Sequence, residues 1–316
     1  MITVEQIKEA RERISSIIHE TPIFESTLLT KLCGNNIYIK GEHLQKTGSF
    51  KIRGATNKVK ISVEQGAKSF TAASSGNHGQ AVAYIANELK VPATIVVPED
   101  IILSKKQAIL AYNGKVEKCG YTSAERIPRA IEIAKKTGGV FVPPYDSPHI
   151  IAGQGTIGLE LLEQIDDIDA ILVPIGGGGL ISGILLAIKQ LKPDIKVIGI
   201  EPEIAKDTYL SLKKGEITSY NGVNTIADGL RTSQPGDLTF PIIEKYVDDI
   251  VLVSEKSIKQ AMFLILERTK QLIEPSSAVT VAAVLYNKIN MTNKNIVCIA
   301  SGGNVDLQSI NELLPN

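Results

Sequence analysis

Ile171-Leu172-Val173-Pro174-Ile175-Gly176-Gly177-Gly178-Gly179-Leu180 joins a short apolar run to four glycines and to a helical pattern that continues to Leu191. The run reads as a buried strand and the pattern after it as an amphipathic helix. Four glycines leave backbone N–H groups uncovered, and the dipole of a helix starting near Leu180 faces them. That combination suits a phosphate; the alternative is a tight turn, which needs fewer glycines. The spacing is neither G-x-G-x-x-G nor a nucleotide loop ending in G-K-[S/T]. No Lys or Arg lies in the loop, so amides and dipole alone would hold a small, fixed phosphate monoester. Ala170 to Ile188 carries no charge and approaches the length of a membrane span, but Pro174 and the glycines would break such a helix midway.

The same strand-then-helix unit recurs along the chain. Apolar runs at 37–40, 70–73, 94–97, 116–118, 140–142, 171–174, 197–200, 250–253 and 296–300 predict strands. Amphipathic patterns at 79–89, 124–136, 155–164, 180–191, 255–271 and 278–287 predict helices between them. Alternation at this spacing predicts an α/β fold of mostly parallel twisted sheets with flanking helices. Met1-Ile2-Thr3-Val4-Glu5-Gln6 lacks the basic-then-apolar layout of a secretion signal and reads as a helix start, with Thr3 as N-cap and Gln6 closing a capping box.

The bulk numbers narrow the class. At about 150 residues per domain, 316 residues suggest two domains or one large one. Hydrophobic content of 43 % and charged content of 22 % suit a soluble globular protein. With 34 basic and 34 acidic residues, nothing electrostatic points to nucleic acid or an anionic membrane. Cys33, Cys119 and Cys298 lie far apart, without metal or redox spacing, which fits a reducing, cytoplasmic setting.

In parallel sheets ligands gather where strands end at their carboxyl side. Two further loops stand there. Ser74-Ser75-Gly76-Asn77-His78-Gly79-Gln80 crowds donors and acceptors at a helix start; it reads as a carboxylate or phenolic-oxygen site or as an elaborate N-cap. Ser301-Gly302-Gly303-Asn304 places a hydroxyl where a strand ends. Upstream, Gly48-Ser49-Phe50-Lys51-Ile52-Arg53-Gly54-Ala55 sets Lys51 between an aromatic ring and a second cation, Arg53. Both neighbours are expected to favour the neutral amine, the form that attacks a carbonyl.

These segments, together with Gln45 to Ala55, Ala152-Gly153-Gln154-Gly155-Thr156, Glu274-Pro275-Ser276 and Ser301 to Asp306, run in one order over nearly the whole chain. The chain resembles the fold-type II family of pyridoxal 5′-phosphate (PLP) enzymes, the tryptophan synthase β-like fold, and within it the threonine dehydratase and serine racemase group. The resemblance implies a large cofactor-binding domain of residues 1–68 and 146–316 and a small mobile domain of residues 69–145.

The resemblance also implies roles. Lys51 would be the Schiff-base lysine and general base, and Phe50 would pack on the cofactor ring. Asn77 would meet the phenolic oxygen, Gly176, Gly177, Gly178, Gly179 and Leu180 the phosphate, and Ser301 the pyridine nitrogen. Ser74, Ser75, Gly76 and Asn77 would bind the substrate carboxylate. The implied reaction is β-elimination from L-threonine or L-serine to a 2-oxo acid and ammonia. Two alternatives are 3-hydroxyaspartate dehydration and serine racemisation, the latter with Ser75 as a second base opposite Lys51. Glu201, the Ala205 carbonyl and Asp207 match a divalent-cation site of racemase relatives, suited to Mg²⁺ or Ca²⁺; the alternative is a solvated turn. Lys46, Thr47, Gln80, Tyr112, Lys270 and Asn304 match a nucleotide-effector pattern, and a homodimer or homotetramer is implied. Ser277 departs from the pattern, where relatives usually carry Gly or Ala, and would make the cofactor edge more polar.

Overall fold

The computed structural model describes residues 2–220 and 224–313. Among them lie ten strands: β1 (Ile23–Glu25), β2 (Asn36–Lys40), β3 (Phe70–Ala73), β4 (Ala93–Val97), β5 (Lys115–Lys118), β6 (Val140–Phe141), β7 (Ala170–Pro174), β8 (Lys196–Pro202), β9 (Asp249–Val253) and β10 (Asn295–Ile299). The helices are α1 (Val4–Ile14), α2 (Thr27–Cys33), α3 (Lys51–Glu64), α4 (Asn77–Glu88), α5 (Leu103–Ala111), α6 (Ser123–Thr137), α7 (Pro148–Gln164), α8 (Gly179–Leu191), α9 (Asp207–Lys214), α10 (Thr239–Tyr246), α11 (Glu255–Thr269) and α12 (Pro275–Leu285).

The strands form two sheets, one of six in the order β1-β2-β10-β7-β8-β9 and one of four in the order β5-β4-β3-β6. Every pairing is parallel except β1 on β2, where Ile23 faces Lys40. The α/β architecture is therefore as the alternation predicts. The antiparallel edge strand β1 escaped it, because three residues carry no readable period.

Both faces of the large sheet are covered, which explains why its strands read as unbroken apolar runs. Side chains alternate between the two faces. Ile171, Val173, Val297 and Ile299 enter one apolar cluster, and Ala170, Leu172, Ile296 and Cys298 the other. The small sheet divides likewise: Ile95 and Val97 face one cluster and Val96 another. Ile52, Ala55 and Val59 of α3 belong to the cluster beneath the small sheet, so the helix that begins with Lys51 is anchored in that core.

Thr3 and Gln6 form the expected reciprocal cap on α1. Helix α7 begins seven residues before the expected 155. Its glycines lower helix propensity but permit close packing: a Cβ on Gly153 would lie 2.6 Å from Gly54 Cα of α3, and one on Gly155 2.9 Å from the Gly183 carbonyl of α8. The three helices thus touch backbone to backbone. No helix of the described residues is long and apolar enough to cross a membrane.

Candidate active site

The site lies where the two sheets meet, and its parts come from strand ends. β10 ends at Ile299, and the chain continues through Ser301 to pair Ser49 with Gly302 in an isolated antiparallel bridge. The Phe50 N–H donates to the Ser301 carbonyl at 3.0 Å. Lys51 therefore starts α3 with its backbone tied to the Ser301 loop. Its Nζ donates to the Pro144 carbonyl at 2.8 Å and lies 5.1 Å from the centre of the Phe50 ring.

Desolvation lowers the Lys51 amine to about 8, against the opposing pull of the Glu274 carboxylate. The expected role of Arg53 is not what the structure shows. Arg53 is fully buried on the other side of α3, donating from Nε and Nη2 to Glu42 at 2.8 and 2.7 Å and from Nη1 to Glu160 at 2.5 Å. Successive helical residues diverge by about 100° around the axis, so residues two apart point to nearly opposite faces. Two carboxylates absorb the Arg53 charge, and burial alone holds Lys51 down.

The tetraglycine loop follows β7, and α8 starts at Gly179 with Gly178 at φ +90° and no side-chain cap. Its first-turn N–H groups lack intrahelical partners. A side chain on the loop has no room. A Cβ on Gly177 would lie 2.3 Å from the Tyr145 ring, one on Gly179 2.8 Å from Tyr145 Cβ, and one on Gly178 2.8 Å from Thr239 and Ile243. Thr239 Oγ1 fixes the loop by donating to the Gly177 carbonyl at 2.7 Å. A bare amide turn with an uncapped helix behind it fits a phosphate group.

The loop after β3 opens α4, again with no side-chain cap at Gly76. Ser74 Oγ accepts from the Gly76 N–H at 3.3 Å, and the Ser75 hydroxyl has no hydrogen-bond partner among the described residues. Asn77 Nδ2 donates to Glu274 Oε1 at 2.8 Å, while Asn77 Oδ1 accepts from Asn304 Nδ2 at 2.7 Å. His78 is buried and donates from Nε2 to the Val142 carbonyl at 2.8 Å, a structural tie; burial and the nearby Lys51 charge lower it to about 3.

Glu274 is the main residue that the sequence reading named, within Glu274-Pro275-Ser276, without giving it a role. It precedes Pro275 at the start of α12, is buried, and accepts from Asn77 and from the Asn304 N–H. Burial pushes its carboxyl up to about 8, and Asp228 adds repulsion. An acidic residue just before a proline that starts a helix was the available signal. Tyr145 is the second omission, seated against Gly177 and Gly179 one residue after the carbonyl that Lys51 touches.

The Ser301 hydroxyl is buried beside the Ser277 hydroxyl at 3.1 Å. Lys51, Phe50, Ser301, Asn77 and the tetraglycine loop are thus connected through named contacts into one site. Bare amides, a desolvated amine and a neutral hydroxyl fit the phosphate, aldehyde and ring nitrogen of PLP.

The sequence pattern described as pyridoxal-phosphate dependent enzyme matches residues 14–302. The chain belongs to this family of enzymes. It is 44 % identical over 315 residues to L-threonine ammonia-lyase of Thermotoga maritima, covering 99 % of this chain and 78 % of that one. It is 45 % identical to serine racemase of Dictyostelium discoideum, covering 99 % and 98 %. The structure of maize serine racemase superposes with a TM-score of 0.94 at 39 % identity, covering 98 % of this chain and 96 % of that one. Membership brings PLP as the cofactor.

The other expected sites have separate places. Glu201 is the penultimate residue of β8, on the way to α9, and is fully buried, accepting from the Thr208 and Tyr209 N–H groups at 3.1 and 2.8 Å. Asp207 is fully buried too, and the Thr232 hydroxyl donates to it at 3.3 Å. Burial raises both carboxyls, Glu201 to about 8, with Asp207 repulsion added, and Asp207 to about 7. Ala205 is buried between them in the chain. This is not the solvated turn that was the alternative. Of the nucleotide-pattern residues, Asn304 Nδ2 donates to the Thr47 carbonyl at 2.8 Å, whereas Tyr112 packs edge-on against Tyr84 and Lys270 ends α11.

Proposed function

We propose that this chain eliminates water from a hydroxy amino acid, L-threonine or L-serine, and that hydrolysis of the resulting enamine takes that water back and releases ammonia, leaving a 2-oxo acid. The contacts that link Lys51, the tetraglycine loop and Ser301 into one site are the observation that carries this reading. PLP, when bound, supplies an electron-poor ring that takes up charge left at the substrate Cα. Lys51 removes the Cα proton; an amine lowered to about 8 is partly neutral near neutral pH. The N–H groups of Gly176 to Gly179 and Leu180 hold the phosphate, Asn77 the phenolic oxygen, Phe50 a ring face and Ser301 the ring nitrogen. The open first turn of α4, with Ser74 to Asn77, holds the substrate carboxylate. Ser301 is uncharged, so it stabilises charge in the ring weakly. Prompt loss of the β-hydroxyl is favoured over a long-lived charge at Cα.

Racemisation is the second reading, and Ser75 favours it. Its hydroxyl shares the Ser74–Asn77 loop and is committed to no hydrogen bond. The test is to measure 2-oxo acid and D-serine formed from L-threonine, L-serine and 3-hydroxyaspartate. Elimination from L-threonine or L-serine is expected from the native enzyme. The Ser75→Ala variant is expected to keep L-serine elimination and lose D-serine. Absence of 2-oxo acid from every substrate overturns the elimination reading, and undiminished D-serine from the variant overturns Ser75 as second base.

Glu201, the Ala205 carbonyl and Asp207 hold a divalent cation, Mg²⁺ or Ca²⁺. Two fully buried carboxylates without a cationic partner among the described residues support this. Adding Mg²⁺ to chelator-treated protein is expected to raise its melting temperature, and to have no such effect on Glu201→Gln; an equal rise in both contradicts the assignment.

A further inference from the structure

Ser277 stands in the first turn of α12, fully buried behind Ser301. Its Oγ lies 2.7 Å from the Gly302 nitrogen, 2.7 Å from the Gly302 carbonyl oxygen and 3.1 Å from Ser301 Oγ. A hydroxyl owns one proton and two lone pairs. The Gly302 N–H donates to one lone pair. The proton of Ser277 goes to the Gly302 carbonyl, the nearer of its two acceptors and a carbonyl with a second lone pair beyond the one that accepts from the Glu274 N–H at 3.0 Å. The remaining lone pair of Ser277 faces Ser301. Ser301 is thereby the donor in the hydroxyl pair, and presents lone pairs to the rest of the cleft.

We propose that Ser277 is a positioning residue: by accepting from the Ser301 hydroxyl, it makes Ser301 an acceptor toward the cofactor's ring nitrogen and so favours the protonated ring. This rests on the placement of Ser301 at the ring nitrogen. With Ala at 277, the Ser301 proton has only the ring nitrogen to meet, and a nitrogen that accepts a hydrogen bond resists protonation. A protonated ring draws charge from Cα more strongly, so Ser277 shifts the partition from elimination toward racemisation.

The test is ¹⁵N NMR of the holoenzyme reconstituted with ring-¹⁵N PLP, followed against pH. Ser277→Ala is expected to lower the apparent pKa of the ring nitrogen by about one unit, roughly tenfold in protonated fraction, the size of one net hydrogen bond. Its ratio of D-serine to 2-oxo acid falls in step. Ser277→Cys keeps the bulk with a weaker acceptor and is expected to lie between the two; it decides the matter where the alanine variant does not fold. Ser301→Ala is the reference. If it moves the ring resonance while Ser277→Ala and Ser277→Cys titrate as the native protein does, the role of Ser277 is overturned and that of Ser301 stands. If Ser301→Ala leaves the resonance unmoved, the placement of Ser301 fails and the proposal with it.

Discussion

Helices α4 and α8 begin at the site without a side-chain cap, whereas α1, α2, α6 and α11, whose first turns take no part in the site, close them locally. Thr3 and Gln6 cap α1, Ser26 Oγ accepts from the Leu29 N–H on α2, the Glu125 carboxylate returns to the Thr122 N–H on α6, and Ser254 Oγ accepts from the Ser257 N–H on α11. A cap is worth about 1 kcal/mol to an ordinary helix. Its omission at α4 and α8 leaves first-turn N–H groups open at the two helix ends proposed for the substrate carboxylate and the phosphate. Among these six helices, stability and binding are thus assigned to different helix ends.

That division can be broken by substitution. The largest effect is expected at α8. Gly177→Ala puts a Cβ 2.3 Å from the Tyr145 ring, which the packed loop accepts only by moving. Overpacking of this kind costs about 1–3 kcal/mol, so PLP affinity, read by fluorescence titration, is expected to fall roughly 5- to 150-fold. Unchanged affinity would show that the loop amides do not hold the phosphate. A smaller effect, of another kind, is expected at α11. Ser254→Ala should reduce unfolding free energy by about 1 kcal/mol in denaturant titration and leave PLP affinity alone. A drop in affinity there would erase the distinction between the two sets of helices.

Much of the site was legible because its parts are local. Strand, glycines and helix start occupy ten consecutive residues at 171–180, and Lys51 sits inside a motif of eleven, from Gln45 to Ala55. What was not legible depends on tertiary pairing. Arg53 reads as a neighbour of Lys51, yet α3 turns it toward Glu42 and Glu160, residues 11 and 107 positions away. Glu274 reaches Asn77 across 197 positions, a contact that no local period encodes. Tyr145 carries no local signal of its own, and only the approach of α8 makes it a wall of the phosphate loop. Helix α7 was read too short because its glycines suggest a boundary, whereas the structure uses them for contact with α3 and α8.

The central claim is that a desolvated Lys51 among open helix ends binds PLP covalently. The direct measurement is borohydride reduction of the PLP-loaded protein, with peptide mapping by mass spectrometry and the initial loading rate followed from pH 6 to 9. The reactive form is the neutral amine, which accumulates as pH rises toward about 8. The account predicts the cofactor mass on Lys51, with a loading rate that rises roughly tenfold per pH unit below that value and levels above it. Cofactor mass on another lysine, or a loading rate indifferent to pH across this range, would contradict it.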